Sequence, residues 1–381
     1  MLDDETTILL TPGPITVHPR VARAMQRIVH HRSPEFRAML SSCLSKLKEV
    51  MQTKNDVFIL TGSGTSAMEA SIANCISPGD EVLNILGGKF GDRWLRITKT
   101  FGGVPVEVPV EWGKAVDPKR VIEILDARPS IKFITLVHNE TSTGVLQPAE
   151  EIGRIAREYE KILIVDGVTS VGGDYVYPDK WGFDLLVTGS QKCIGCPPGL
   201  AMIMVSERAW STMEERKGTP TFYLDLQSYR KSAERGETPY TPAVSLVSAL
   251  HESLTMILEE GLEKRVERHR LLARGTRAGY KGMGLKLFAD ERHLSNTVTA
   301  VRYPDGIDDD FIRLMKEYGI LIAGGQDELK GKIFRIAHVN ICEQRDILVT
   351  VGASEVALRK LGYDVNLGSG VKAAQEVFLK G

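Results

Sequence analysis

The chain has 381 residues, 43% hydrophobic and 25% charged, enough for two domains of ordinary globular composition. A formal net charge of −1 with no basic run argues against nucleic acid as the main partner. No stretch approaches the roughly 18 uninterrupted apolar residues of a membrane span, and the acidic start Met1-Leu2-Asp3-Asp4-Glu5 is unlike a basic targeting leader, so a cytoplasmic protein with no membrane partner is expected.

Residues 1–14 read as an irregular arm closing on the turn Thr11-Pro12-Gly13-Pro14. Pro19 to His30 follows as a helix with Val21, Met25 and Ile28 on one face. From Val57 to Val205 short apolar strands alternate with helices: strands at 57–60, 81–86, 131–137, 162–165, 183–187 and 200–205, with helices at 66–76 and 148–160 among the intervening segments. The latter helix has Pro148 in its first turn, and Glu150 and Glu151 complement its N-terminus. This alternation predicts an α/β fold with a mostly parallel sheet sandwiched by helices. A long helical region, Val244 to Gly279, then carries a domain boundary near residue 261. Strands at 297–303, 320–323 and 332–337 and helices at 309–318 and 343–361 make a compact α+β unit. The expected division is an arm at 1–14, a large domain at 15–260 and a small C-terminal domain at 261–381.

Lys192 carries the most chemical information. It follows the strand at 183–187 in Gly189-Ser190-Gln191-Lys192, while the neighbouring strand at 162–165 runs into Asp166. A lysine and a carboxylate at the C-terminal ends of adjacent parallel strands suit pyridoxal phosphate (PLP). The amine forms a Schiff base with the cofactor aldehyde, and the carboxylate keeps the pyridine nitrogen protonated. Thr61-Gly62-Ser63-Gly64-Thr65-Ser66 is a small-residue turn from a strand into a helix, an anion site of backbone N–H groups and hydroxyls. The same letters satisfy a dinucleotide fingerprint at Gly62, Gly64 and Ala67, which would suggest a nicotinamide dehydrogenase. That reading needs an acid at the end of the next strand. Here Gly87-Gly88 stands there, and Asp80 and Glu81 come before the strand, so the fingerprint fails its context.

Phe90, read as lying in a loop after the strand at 81–86, can stack on a cofactor ring or belong to the core. Asn139-Glu140-Thr141-Ser142-Thr143-Gly144 offers a hydroxyl near the ring or is a polar turn. Arg335, mid-strand among apolar neighbours, is costly there unless paired, and its planar fork suits a substrate carboxylate. His30, His31 and His338 read as structural. The five cysteines (43, 75, 193, 196, 342) form no disulfide framework. Cys193 and Cys196 make a CxxC with no second pair, no spaced histidines and no helix start to depress a thiol pKa, so neither a metal nor a redox site is expected.

Together these stretches resemble the fold-type I, class V aminotransferases, in the branch of alanine–glyoxylate and serine–pyruvate (serine–glyoxylate) aminotransferases. The likeness covers nearly the whole chain, and Glu140-Thr141-Ser142-Thr143-Gly144 and Gly189-Ser190-Gln191-Lys192 are its specific parts. The resemblance implies Lys192 as Schiff-base lysine and Asp166 as pyridinium partner. It implies Ser63, Gly64, Thr65 and Gln191 around the phosphate, Phe90 and Val168 on the two ring faces, and Thr141 at the phenolic oxygen. Arg335 would bind the substrate carboxylate with the Gly13 backbone nearby. The family is dimeric, and Tyr240 and Thr241 match a loop that reaches the phosphate of the partner copy. Many relatives carry tryptophan at the Phe90 position. A single arginine for a carboxylate fits alanine, serine or glycine better than an acidic donor. Parts of the chain also look like pyridoxamine–pyruvate aminotransferase, which uses the vitamer as substrate, but that enzyme replaces the Ser63 position and loses the phosphate cup. Cysteine desulfurases share the fold and need a mobile cysteine, which Cys342 is not. A non-catalytic ligand-binding relative is the reading from outside enzymology, and retention of Lys192, Asp166 and Arg335 argues against it.

Overall fold

The computed structural model describes residues 7–216 and 218–381; the acidic start and the first six residues of the arm lie outside the described residues. Seven strands form the main sheet: β1 (Asp56–Thr61), β2 (Glu81–Leu86), β3 (Val104–Pro109), β4 (Ile131–Val137), β5 (Ile162–Asp166), β6 (Leu185–Gly189) and β7 (Leu200–Val205). Their order is β1-β7-β6-β5-β4-β2-β3, with β7 alone running against its neighbours. The α/β reading with a mostly parallel sheet therefore holds. Burial on both faces explains the near-continuous apolar runs. Along β5, Leu163 and Val165 enter one core while Ile162 and Ile164 enter the other.

Helices cover both faces. Helix α1 (Gly64–Cys75) and helix α2 (Lys89–Thr100) pack on the side of Ile164 and Val187. The opposite side is covered by Pro34–Val50, Ala149–Glu158 and Val244–Glu260. The first of these was not anticipated, although Ser33 caps it, Pro34 opens it, and Phe36, Leu40, Cys43, Leu47 and Val50 form its buried stripe. Strand β3 was also missed. Pro105 and Pro109 lower its strand signal, and it lies on the sheet edge where proline is tolerated.

Several boundaries differ from the sequence reading. The helix expected at 19–30 ends at Ala24, and Pro148 caps the next-predicted helix from outside rather than sitting in its first turn. The long helical region is two helices, Val244–Glu260 and Leu262–Gly282, broken at Gly261, whose φ of +83° favours glycine. The arm is not irregular throughout: Ile8–Leu9 pairs in parallel with Ile320–Leu321, and Leu10 joins the C-terminal core. That core packs Phe311 against Phe334 at 4.6 Å between ring centroids, over an antiparallel sheet of Val298–Arg302, Ile333–Ala337 and Ala323–Gly324. A final helix, Ser369–Lys380, was not anticipated.

Because the parallel strands end at one edge, the loops at 62–63, 87–88, 138–144, 167–169 and 190–192 converge there, where ligands gather in α/β sheets. Close packing of the helices can be probed at two glycines. A Cβ at Gly153 would lie 1.8 Å from the Trp181 carbonyl oxygen, whereas one at Gly352 would meet only Val371 Cγ2 at 3.4 Å. Gly153→Ala is expected to lower stability by ~3 kcal/mol. Gly352→Ala, on a helix, is expected to raise it by up to ~1 kcal/mol. Urea unfolding midpoints of the two variants check both signs.

Candidate active site

At the convergent edge lies a cavity of about 200 Å³ lined by Lys192, Asp166, Thr141, Phe90, Val168 and Gln191, together with Ser63, Gly64 and Thr65. Strand β6 runs to Gly189, two residues past its expected end, and delivers Lys192 three residues later. Lys192 Nζ donates to the Pro12 carbonyl. A Cβ on Gly13, whose φ is +114°, would fall 2.6 Å from Nζ, so glycine is required for the arm to close over the lysine. Burial above all pulls the Lys192 amine down to about 8, and the Arg335 charge acts in the same direction.

Asp166 is buried at the last position of β5 and accepts from the Val168 N–H at 2.8 Å. Burial pushes its carboxyl up to about 6, against the opposing pull of that hydrogen bond and of Arg93 and Lys192. Helix α1 starts at Gly64 with Ser63 as N-cap, and the Ser63 side chain makes no capping hydrogen bond. Its first N–H groups lack intrahelical acceptors. A Cβ on Gly64 would lie 2.9 Å from Val168 Cγ2, so glycine lets this turn approach that side chain. The buried Gln191 Oε1 has no hydrogen-bond partner. Thr141 Oγ1 shares a 2.9 Å hydrogen bond with Thr169 Oγ1, which donates to the Asn139 carbonyl.

Phe90 is not in a loop: it is the second residue of α2. Arg93 escaped the sequence reading, and Glu140 was quoted there within a motif but given no role. Arg93 lines the cavity, donates to Thr65 Oγ1 at 3.0 Å, and has its guanidinium carbon 4.8 Å from the Phe90 ring centroid. A helix starting at Lys89 would have placed it beside Phe90 by the three-residue spacing. Glu140 is buried just behind the cavity, and burial raises its carboxyl to about 7.

Arg335 does not line this cavity but reaches the same loops. Its Nη1 donates to the Thr141 carbonyl at 3.0 Å, and Nε and Nη2 donate to the Gly324 carbonyl at 3.0 and 2.7 Å. Burial lowers it to about 10, with Glu140 opposing. Tyr240 and Thr241 lie apart from the chain's own cavity; Tyr240 stacks on Tyr223 and donates to the Phe222 carbonyl at 2.9 Å. His338 is buried beside Thr299, and burial lowers it to about 3. Cys193 and Cys196 are buried with thiols pushed up to about 12, and burial raises Cys342 as well. Among the described residues no cluster could hold a metal ion, and no helix is long and apolar enough to cross a membrane.

The residues present fit PLP: a partly buried amine, a buried carboxyl on the adjacent strand, and a helix N-terminus with a free hydroxyl share one cavity. The architecture is that of the fold-type I PLP enzymes. Residues 18–357 match the class-V aminotransferase family, and the chain belongs to that family, whose members use PLP. It is 48% identical to an uncharacterized aminotransferase of Methanocaldococcus jannaschii over 383 residues, covering 100% of this chain and 99% of the relative. The structure of ureidoglycine–glyoxylate aminotransferase from Bacillus subtilis is similar at a TM-score of 0.94 and 34% identity, covering 98% of each chain. That of pyridoxamine–pyruvate aminotransferase from Mesorhizobium loti is similar at 0.93 and 33% identity, covering 98% of this chain and 97% of that one. Membership sets aside the dehydrogenase reading of Gly62-Ser63-Gly64.

An Asp166 raised to about 6 favours the fold in its protonated form. Its contribution is fully present below pH ~4, the unfolded value, and is lost as pH rises through the folded one. Ionising it in the cofactor-free protein costs about 3 kcal/mol at ~1.4 kcal/mol per tenfold change in proton affinity. Asp166→Asn is therefore expected to make the cofactor-free protein more stable at pH ~8 by up to that amount, with the gain fading toward pH ~4. Urea unfolding at both pH values measures it.

Proposed function

We propose that the chain is a transaminase that moves the amino group of alanine or serine to glyoxylate or pyruvate, with PLP as cofactor and a ping-pong course. The observation that carries this reading is the partly buried Lys192 amine sharing a cavity with the buried Asp166 carboxyl. The cofactor, when bound, supplies an electron sink for the substrate α-carbon and carries the amino group between substrates.

In this reading Lys192 holds the cofactor at rest. Once displaced by the donor, its Nζ would accept the α-proton and would give it up to the carbon that ends up bearing the amino group. An amine near 8 is partly neutral at working pH, as a proton acceptor must be. Asp166 holds the ring-nitrogen proton, and Ser63, Gly64, Thr65 and Gln191 hold the phosphate with Arg93 adding positive charge nearby. Phe90 and Val168 flank the ring, and Thr141 meets its phenolic oxygen. Arg335 orients the donor carboxylate beside Gly13 and so selects the bond that breaks. Three of its N–H groups go to the Gly324 and Thr141 carbonyls, which leaves two of the five for a carboxylate. Arg93 is engaged with Thr65 and Phe90, which leaves Arg335 as the arginine assigned to the donor carboxylate and supports alanine or serine. The two solved relatives are named for glyoxylate and pyruvate, which supports those acceptors.

Two copies would pair so that Tyr240 and Thr241 of one reach the phosphate end of the other. Phe222, 82% exposed beside Tyr240, is consistent with a covered face. The break at Gly261 supports residues 15–260 as the cofactor domain and 261–381 as the smaller one. A vitamer-as-substrate activity like that of pyridoxamine–pyruvate aminotransferase is the alternative, and the retained Ser63 turn counts against it.

Adding PLP to the purified protein and then single amino acids tests the proposal. A visible band bleached by alanine or serine, and restored by glyoxylate or pyruvate, is expected. A band bleached by aspartate or glutamate alone would overturn the donor assignment, and no band at all would overturn the cofactor. Lys192→Ala is expected to lose steady turnover by ~1,000-fold or more.

A further inference from the structure

Helix α2 starts behind Gly88, which has no side chain to cap it. The first N–H groups of a helix need acceptors from elsewhere, and here they come from the loop after β4. Ser142 Oγ accepts from the Lys89 N–H at 3.0 Å. Glu140 Oε2 accepts from the N–H groups of Phe90 and Gly91 at 3.1 and 3.2 Å. Its other oxygen accepts from the Ser142 N–H at 3.1 Å and from the Ser142 hydroxyl. Glu140 is 1% exposed, so four donors and the positive end of a helix dipole hold a carboxyl away from water. A Cβ on Gly88 would lie 2.5 Å from both Glu140 Cγ and Ser142 Oγ, so this close approach requires glycine at position 88. The next residue along, Thr141, lends its carbonyl to Arg335.

We propose that Glu140 is a positioning residue: by capping α2 from across the site it sets where the Phe90 ring stands in the cavity, in register with Arg335. The inference rests on the functional reading above, in which Phe90 flanks the cofactor ring. One turn, 140–142, then holds both the stacking residue and the carboxylate anchor, so the ring face and the substrate carboxylate are aligned by the same few hydrogen bonds.

The test compares cofactor-loaded wild type with E140A, E140Q, F90L and the E140A/F90L double variant. The readouts are the rate of PLP loss to an excess of a scavenger and the visible circular dichroism of the bound cofactor. E140A is expected to lose PLP about tenfold faster and to change the dichroism, as loss of charged hydrogen bonds to two N–H groups would cause. E140Q keeps one oxygen that can accept from Phe90 and Gly91, so about a threefold effect is expected. In the F90L background the E140A change should add less than about twofold, because both act through one ring. In the cofactor-free protein, hydrogen exchange at the Phe90 and Gly91 amides should quicken about tenfold in E140A. Wild-type rates of PLP loss in E140A, or effects of the two changes that simply multiply, overturn the proposal. If E140A does not fold, E140Q decides it, with a wild-type rate counting against. Wild type that takes up no PLP would sink the functional reading and this inference together. Amide exchange in E140A equal to that of a wild type that does bind PLP would sink the inference alone.

Discussion

The placing of one partly buried amine organises the site. Lys192 lies under the arm at Pro12 and Gly13, and water is scarce enough there to pull its pKa down to about 8. A carboxyl in the same cavity is pushed the other way, to about 6. Neither group's charged form gains stability from its position; each is held toward its neutral form by the surrounding protein. Such an arrangement persists only because the surrounding sheet, with cores on both faces, over-determines it.

Parallel strands make the arrangement possible. Asp166 ends β5 and Lys192 follows β6, strands that pair directly, so the two side chains line one cavity without any long-range adjustment. The third element of the site, the turn at 139–144, follows β4 on the other side of β5. It is stitched in by Asn139, Thr141 and Thr169, and it reaches both α2 and Arg335. The arm contributes from the far end of the sequence because its strand residues Ile8–Leu9 pair with Ile320–Leu321.

The repeating strand–helix pattern from Val57 to Val205 was legible because buried parallel strands are short apolar runs whose length alone sets them apart from helices. Strand β3 was not, since its prolines speak against a strand unless it is known to be an edge. That Lys192, Asp166, Ser63 and Thr141 would lie together was legible through strand-end placement and the family motifs, and they line one cavity. Phe90 was named while its setting was misread: the absence of any capping side chain before Lys89 hid the helix, because the cap comes from Glu140, 49 residues from Gly91 in sequence. Arg93 was lost with that helix. Long-range capping leaves no local signal, so a single sequence gives no reason to end a loop at Gly88.

The most direct measurement is to incubate the protein with PLP, reduce it with borohydride, digest it, and locate the pyridoxyl mass by peptide mapping. The account requires the label on Lys192 in the peptide around Gly189-Ser190-Gln191-Lys192, and on no other lysine in comparable amount. A label spread over surface lysines, or none on Lys192 at saturating cofactor, would contradict it.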